Sequence, residues 1–114
     1  MQVKGENYNV WYDKNNGAVN FNGALRLPGM QDYAPILQLL NEIASTEPPN
    51  MVLNLQSLQF LNSSGISMLS KFIIGMRKKK SVQMKILGSN SIPWQGKSLK
   101  NLQRLMPGLA LDLQ

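Results

Sequence analysis

Met51-Val52-Leu53-Asn54-Leu55 leads through Gln56-Ser57-Leu58-Gln59-Phe60-Leu61-Asn62 to Ser63-Ser64-Gly65-Ile66, passing from a mostly apolar run to a polar turn of small residues. The first five residues have strand length and suit a buried strand. The next seven are expected to link it to a helix that begins at Ser63 or Ser64 and runs to Lys80. Ile66, Leu69, Phe72, Ile73 and Met76 recur along that helix as one apolar stripe. The hydroxyls of Ser63 and Ser64 then lie where a helix leaves N–H groups unpaired and its dipole positive. An anion is favoured there, including a phosphate esterified to one of those serines. Asn, Ser and Gly also serve as ordinary caps in strand-to-helix turns, and composition alone favours that plainer role.

Upstream, Tyr8–Asp13 is rich in β-formers, and Ala18–Leu25 alternates. Asn15-Asn16-Gly17 between them predicts a hairpin. Gln31–Ser45 is expected to be a helix, with Tyr33, Ile36, Leu37, Leu40, Ile43 and Ala44 at helical spacing, Asp32 as its N-cap and Pro35 in its first turn. Downstream, Val82–Leu87 predicts a strand and Gly88–Gly96 a loop. Ser98 is expected to cap a third helix carrying Leu99, Leu102, Leu105 and Met106, which Pro107-Gly108 stops. Ala110–Leu113 is a last strand or a tail. Alternating strands and helices point to an α/β fold: a mixed sheet with an N-terminal antiparallel hairpin and parallel strands, covered by helices. No repeat or linker divides residues 1–114, so a single domain is expected.

The chain has 114 residues, no Cys and no His. Disulfides, cysteine nucleophiles, imidazole bases and His or Cys metal sites are therefore excluded. The six acidic residues are scattered, with no close pair for two-carboxylate hydrolysis or a hard-metal cage. No catalytic or metal-ligating residue and no cofactor is expected. The N-terminus shows no apolar signal segment and no run long enough to span a bilayer, so a cytoplasmic protein is expected.

Net charge is +6, and it is unevenly placed. Residues 1–66 hold three basic against five acidic side chains, and residues 67–114 hold nine against one. Arg77, Lys78, Lys79, Lys80, Lys97, Lys100 and Arg104 could form a surface for nucleic acid or another polyanion. Basic residues at a helix C-terminus also complement its dipole, and no helix-turn-helix, RNP or zinc motif accompanies them. Gly96-Lys97-Ser98 has the end of a phosphate-binding loop without its first glycine, since Ser91 stands there and Pro93 intrudes. Trp94, in the same loop, is either a lid on the core or a binding anchor.

Val52-Leu53-Asn54-Leu55 followed by Phe60-Leu61-Asn62-Ser63-Ser64-Gly65-Ile66 resembles the STAS domain family of anti-sigma factor antagonists. Gly23-Ala24-Leu25-Arg26 is similar to the family's G-E-L-D strand end, and the resemblance covers essentially the whole chain. It implies the STAS fold and a non-enzymatic bacterial regulator. The implied partners are a serine kinase that doubles as an anti-sigma factor and a serine phosphatase. By position the phosphoacceptor is Ser63, with Ser64 the second choice. The implied partner surface is Asn62, Ser63, Ser64 and Gly65 with Gly23, Ala24 and Arg26. Asn62 stands in place of the family's Asp, and Ala24 and Arg26 in place of its Glu and Asp, which marks a divergent member.

Overall fold

A computed structural model describes all 114 residues. Six strands form one sheet in sequence order: β1 (Gln2–Lys4), β2 (Tyr8–Asp13), β3 (Ala18–Leu25), β4 (Asn50–Leu61), β5 (Gln83–Gly88) and β6 (Ala110–Leu113). β1, β2 and β3 are antiparallel neighbours, and β3 to β6 run parallel. Helices α1 (Ala34–Ser45), α2 (Ser63–Met76) and α3 (Gln95–Gln103) make the three parallel crossovers. Right-handed crossovers that always step in one direction place every helix on the same face. Burial agrees: Val10, Val19, Phe21, Leu53 and Ile86 join residues of all three helices in one core. The other face carries no helix. Trp11, Asn20, Asn54, Leu87 and Asp112 lie abreast across it, none of them fully buried, and Asn54 Nδ2 donates to Asn20 Oδ1 at 2.9 Å. The mixed sheet with its N-terminal hairpin is the expected one.

β4 departs most from expectation. It has 12 residues, and the expected link from Gln56 to Leu61 is strand. Asn20 pairs with Asn54 but Asn22 with Ser57, and Gly23 pairs with Leu58 but Ala24 with Phe60. β4 therefore holds two residues more than β3 over the same span, one at each irregularity. Its buried positions are Met51, Leu53, Leu55, Leu58 and Leu61. The spacing changes from two to three where the bulges fall, so simple alternation ends at Leu55 although the strand does not. Val52 and Asn54 are half-exposed, so the strand is buried on one face only.

β5 pairs with β4 no further than Asn54 opposite Leu87. Two side chains do the work of the missing strand. Gln95, fully buried, donates through Nε2 to the carbonyls of Leu55 (2.6 Å) and Leu58 (3.1 Å), and its Oε1 accepts from Ser89 N–H at 2.7 Å. Trp94 Nε1 donates to Leu58 O at 3.1 Å. Trp94 is thus a half-buried lid on the core. The anchored Gln95 starts α3 three residues before Ser98, which lies inside the helix and caps nothing. Gly96-Lys97-Ser98 is helical too, so no phosphate loop precedes α3.

Other boundaries also differ. Met30–Tyr33 is a 3-10 turn ahead of α1, and Asp32 does not cap the helix, its carboxylate accepting instead from Gly29 N–H at 3.2 Å. Pro35 is in the first turn of α1, as expected. α2 ends at Met76, so Arg77–Lys80 form the turn beyond it. β1 was not foreseen, because three residues show no period. Ala110–Leu113 is a strand. No helix is long and apolar enough to cross a membrane.

Replacing Gln95 by Ala takes the side-chain partner from Leu55 O and Ser89 N–H and leaves Leu58 O to Trp94 alone. Gln95→Ala is expected to lower the unfolding free energy by ~3 kcal/mol in denaturant titrations, and Gln95→Glu, which cannot donate, by at least as much. A loss below ~1 kcal/mol would show that water replaces the side chain.

Candidate functional site

The last buried residue of β4, Leu61, is followed directly by the N-cap of α2, Asn62. Extended backbone at Asn62 (φ −81°, ψ 176°) turns the chain, and its Oδ1 accepts from Gly65 N–H at 3.0 Å. The same oxygen accepts from the Tyr33 hydroxyl at 2.6 Å, and Nδ2 donates to Leu27 O at 2.8 Å. Asn62 N–H reaches Leu25 O at 3.2 Å, and Asn62 O accepts from Ile66 N–H at 3.0 Å. One half-buried amide thus ties together the end of β3, the loop after it, the 3-10 turn and the start of α2. The partners fix its orientation, since Gly65 N–H needs an acceptor and Leu27 O a donor. A carboxylate could satisfy the first but not the second. This explains the amide at a position where the resembled family has Asp.

Tyr33 is fully buried beneath this junction. Burial pushes its hydroxyl above the ordinary tyrosine pKa of 10.0, partly opposed by the Leu27 backbone, with Tyr8 adding a small upward push. Gly65 is buried as well, and a Cβ there would strike Leu61 and come within 2.9 Å of the Tyr33 oxygen. Glycine at this place serves close packing.

Ser63 is exposed and Ser64 half-buried, and neither hydroxyl is engaged by another group of the chain. Their N–H groups precede the first intrahelical bond and face the positive end of the dipole. The site therefore presents a free hydroxyl on an immobile helix start, beside two unpaired donors.

The other expected partner-binding residues lie at the same end of the sheet, because Leu25 pairs with Leu61. Arg26 is exposed and stacks its guanidinium over the Phe60 ring, 4.5 Å from the centroid. Ala24 is half-buried opposite Phe60. Gly23 has φ +93°, and a Cβ there would strike the Asn7 carbonyl, so its role is to let β3 bend around the β1–β2 turn. Sequence reasoning missed Tyr33 as a site residue, and Phe60 and Met30, both exposed apolar side chains flanking α2's start. A large apolar residue on an exposed strand end, next to an Arg, was the available signal for Phe60.

The seven basic residues divide along the helix layer, five of them at one end. Arg77, Lys78, Lys79 and Lys80 follow the C-terminal end of α2, and Arg104 follows that of α3. Lys97 belongs to the first turn of α3, at the opposite end of the layer, with Lys100 between. No cluster of three His, Cys, Asp or Glu side chains forms.

Compared by sequence, the chain matches no protein-family model and no curated protein. Compared by shape, it is similar to a chain in the complex of the diguanylate cyclase SiaD with its activator SiaC from Pseudomonas aeruginosa. The TM-score is 0.76 at 10% identity, over 100% of this chain and 99% of that one. It is also similar to SiaC alone from that organism, at TM-score 0.74 and 10% identity over 100% and 98% of the two chains. An anti-sigma factor antagonist from Mycobacterium paratuberculosis matches at TM-score 0.60 and 17% identity over 96% and 82%. At such identities the likeness is one of fold, and that fold is STAS-like.

Asn62→Ala removes the cap and both struts and is expected to cost ~2–3 kcal/mol, whereas Asn62→Asp keeps the cap, loses the Leu27 strut and costs ~1 kcal/mol. Chemical denaturation checks the order, and equal losses would contradict it. Tyr33 gives a pH signature. Its folded pKa is raised, so its contribution is fully present below the unfolded value of 10.0 and is lost as pH rises beyond it. Wild type should lose more stability than Tyr33→Phe between pH 9.5 and about 11.5.

Proposed function

We propose that this chain is a non-enzymatic regulatory protein that docks a protein partner through the start of α2 and the adjoining β3–α1 loop, and that phosphorylation of Ser63 controls that docking. The observation that carries the reading is the exposed, unengaged Ser63 hydroxyl on a helix start held rigid by Asn62. The fold likeness to SiaC, an activator in complex with a cyclase, and to an anti-sigma factor antagonist supports protein docking as the mode of action.

Arg26 and Phe60, at the same end of the sheet as α2's start, add a cation and an exposed apolar ring, a mixture that protein interfaces favour. A phosphate on Ser63 would bring about −1.5 to −2 charges to that surface. The helix dipole and the free N–H groups of Ser63 and Ser64 lower its internal cost, so the charge acts on the partner and not on the fold. The partners in this reading are an anti-sigma-type serine kinase and a serine phosphatase, in a bacterial cytoplasm. Ser64, half-buried, is the weaker acceptor.

Affinity capture from nuclease-treated source lysate, with wild type, Ser63→Ala and Ser63→Glu in parallel, tests the reading. A kinase- or phosphatase-type protein held by one form and released by at least about tenfold from another is the expected result. Equal retention by all three would overturn the switch and leave Ser63 an ordinary first-turn residue of α2. Ser63→Glu should meanwhile raise stability by ~0.5 kcal/mol through the dipole, so any binding that variant loses is not lost folding.

A further inference from the structure

At the end of the layer remote from Ser63, about 20 Å along the 14 residues of α2, a groove of about 350 Å³ opens between the turn after α2 and the end of α3. We propose that this groove is a second docking site, and that its occupant is an acidic peptide segment of a partner protein carrying a large apolar side chain.

The wall chemistry argues for that occupant. Half-exposed Met106 and exposed Pro107, in the turn after α3, form the open apolar wall, the nearly buried Met76 and Met84 close the floor behind them, and Arg77 and Lys80 stand on the rim. Methionine walls adapt to apolar side chains of differing shape. The two cations are uncommitted. The chain's one ion pair joins Lys85 to Asp112 at 3.8 Å, away from this rim. Backbone N–H groups already occupy two carbonyls of α2's last turn and one of the turn beyond it: Arg77 N–H on Ile74 O, Lys79 N–H on Met76 O and Val82 N–H on Lys79 O. The neighbouring carboxylate, Glu47, accepts from the Ser81 hydroxyl at 2.9 Å. Two free cations over an apolar floor complement carboxylates flanking a hydrophobic residue. A nucleic-acid strand needs a continuous basic track with stacking faces. Here Lys97 lies at the other end of α3, and no aromatic ring lines the groove.

The proposal is independent of the Ser63 reading, and its test leaves Ser63 untouched. Amide spectra of the ¹⁵N-labelled full chain are recorded with the peptide Glu-Asp-Leu-Glu-Asp-Phe-Glu added to millimolar concentration, a range in which weak docking is visible. Saturable shifts confined to the Arg77–Met84 and Met106–Gly108 segments are expected. Affinity should fall at least about tenfold when serines replace the peptide's Leu and Phe, and likewise in Arg77→Glu/Lys80→Glu. The single variant Met106→Gln, on the groove's half-exposed wall, should weaken the peptide while retaining native spectral dispersion. Lys97→Glu/Lys100→Glu, which removes as much charge elsewhere, should leave affinity within about twofold. The proposal is overturned if the groove amides do not shift, if the serine peptide binds equally, if the Lys97/Lys100 variant weakens binding as much, or if a thymidine 12-mer occupies the groove more tightly than the peptide.

Discussion

The architecture depends on keeping one face of β4 in the core over 12 residues, although its neighbour β5 accompanies it for only five of them. Two extra residues solve the problem. The first bulge moves Leu58 to the core side, and the second leaves Leu61 there as well, so two slips of one residue cancel in parity. Asn54 supports the first bulge by accepting from Gln56 N–H at 3.1 Å. Gln95 and Trp94 take the carbonyls that the absent strand leaves open. Without that substitution the far half of β4 would carry buried unpaired backbone, and α3 would start elsewhere.

The same strand leads directly into the proposed docking end of the molecule. Because Leu61 is inward and anchored, Asn62 arrives at a fixed place with its backbone extended, and α2 begins there. Its amide joins four segments, and Tyr33 and Gly65 fill the space below it so tightly that neither a methyl group at position 65 nor a carboxylate at position 62 is equivalent. In the proposed switch, the bracing of this helix start is what would turn a small chemical change at Ser63 into a change in partner affinity. A flexible helix start would absorb the charge by fraying. The exposed ring of Phe60 lies under Arg26 at the same end of the sheet. The long row of amides on the helix-free sheet face shows, by contrast, side chains that mostly satisfy one another.

Much of this was legible in the sequence where period and turn chemistry were unbroken. β2, β3 and the Asn-Gly hairpin read correctly, as did the cores of α1 and α2 and the α/β class. Legibility failed where a tertiary partner overrode a local rule. β4 ended at Leu55 on paper because alternation stops at a bulge, and a bulge is specified by β3 and not by β4 alone. Ser98 was the better cap by residue type, yet Gln95 starts the helix because carbonyls 40 and 37 residues away in sequence hold its side chain. Asn62, Ser63 and Ser64 were found from motif and position. Tyr33 was read only as an apolar helix position, since nothing local reveals that its hydroxyl reaches Asn62, 29 residues on. The order of the basic residues along the chain does not reveal which end of the helix layer each takes, and Lys97 and Lys100 stand apart from the other five.

A helix N-terminus, a braced amide and an exposed, unengaged hydroxyl are what single out Ser63 in the proposed reading. The direct measurement is phosphosite mapping by tandem mass spectrometry on the protein recovered from its own cells, with partner-bound and unbound fractions kept apart. The account predicts phosphate on Ser63, concentrated in one of the two fractions. Phosphate at another residue, or a Ser63 unmodified in both fractions under every growth condition, would contradict it.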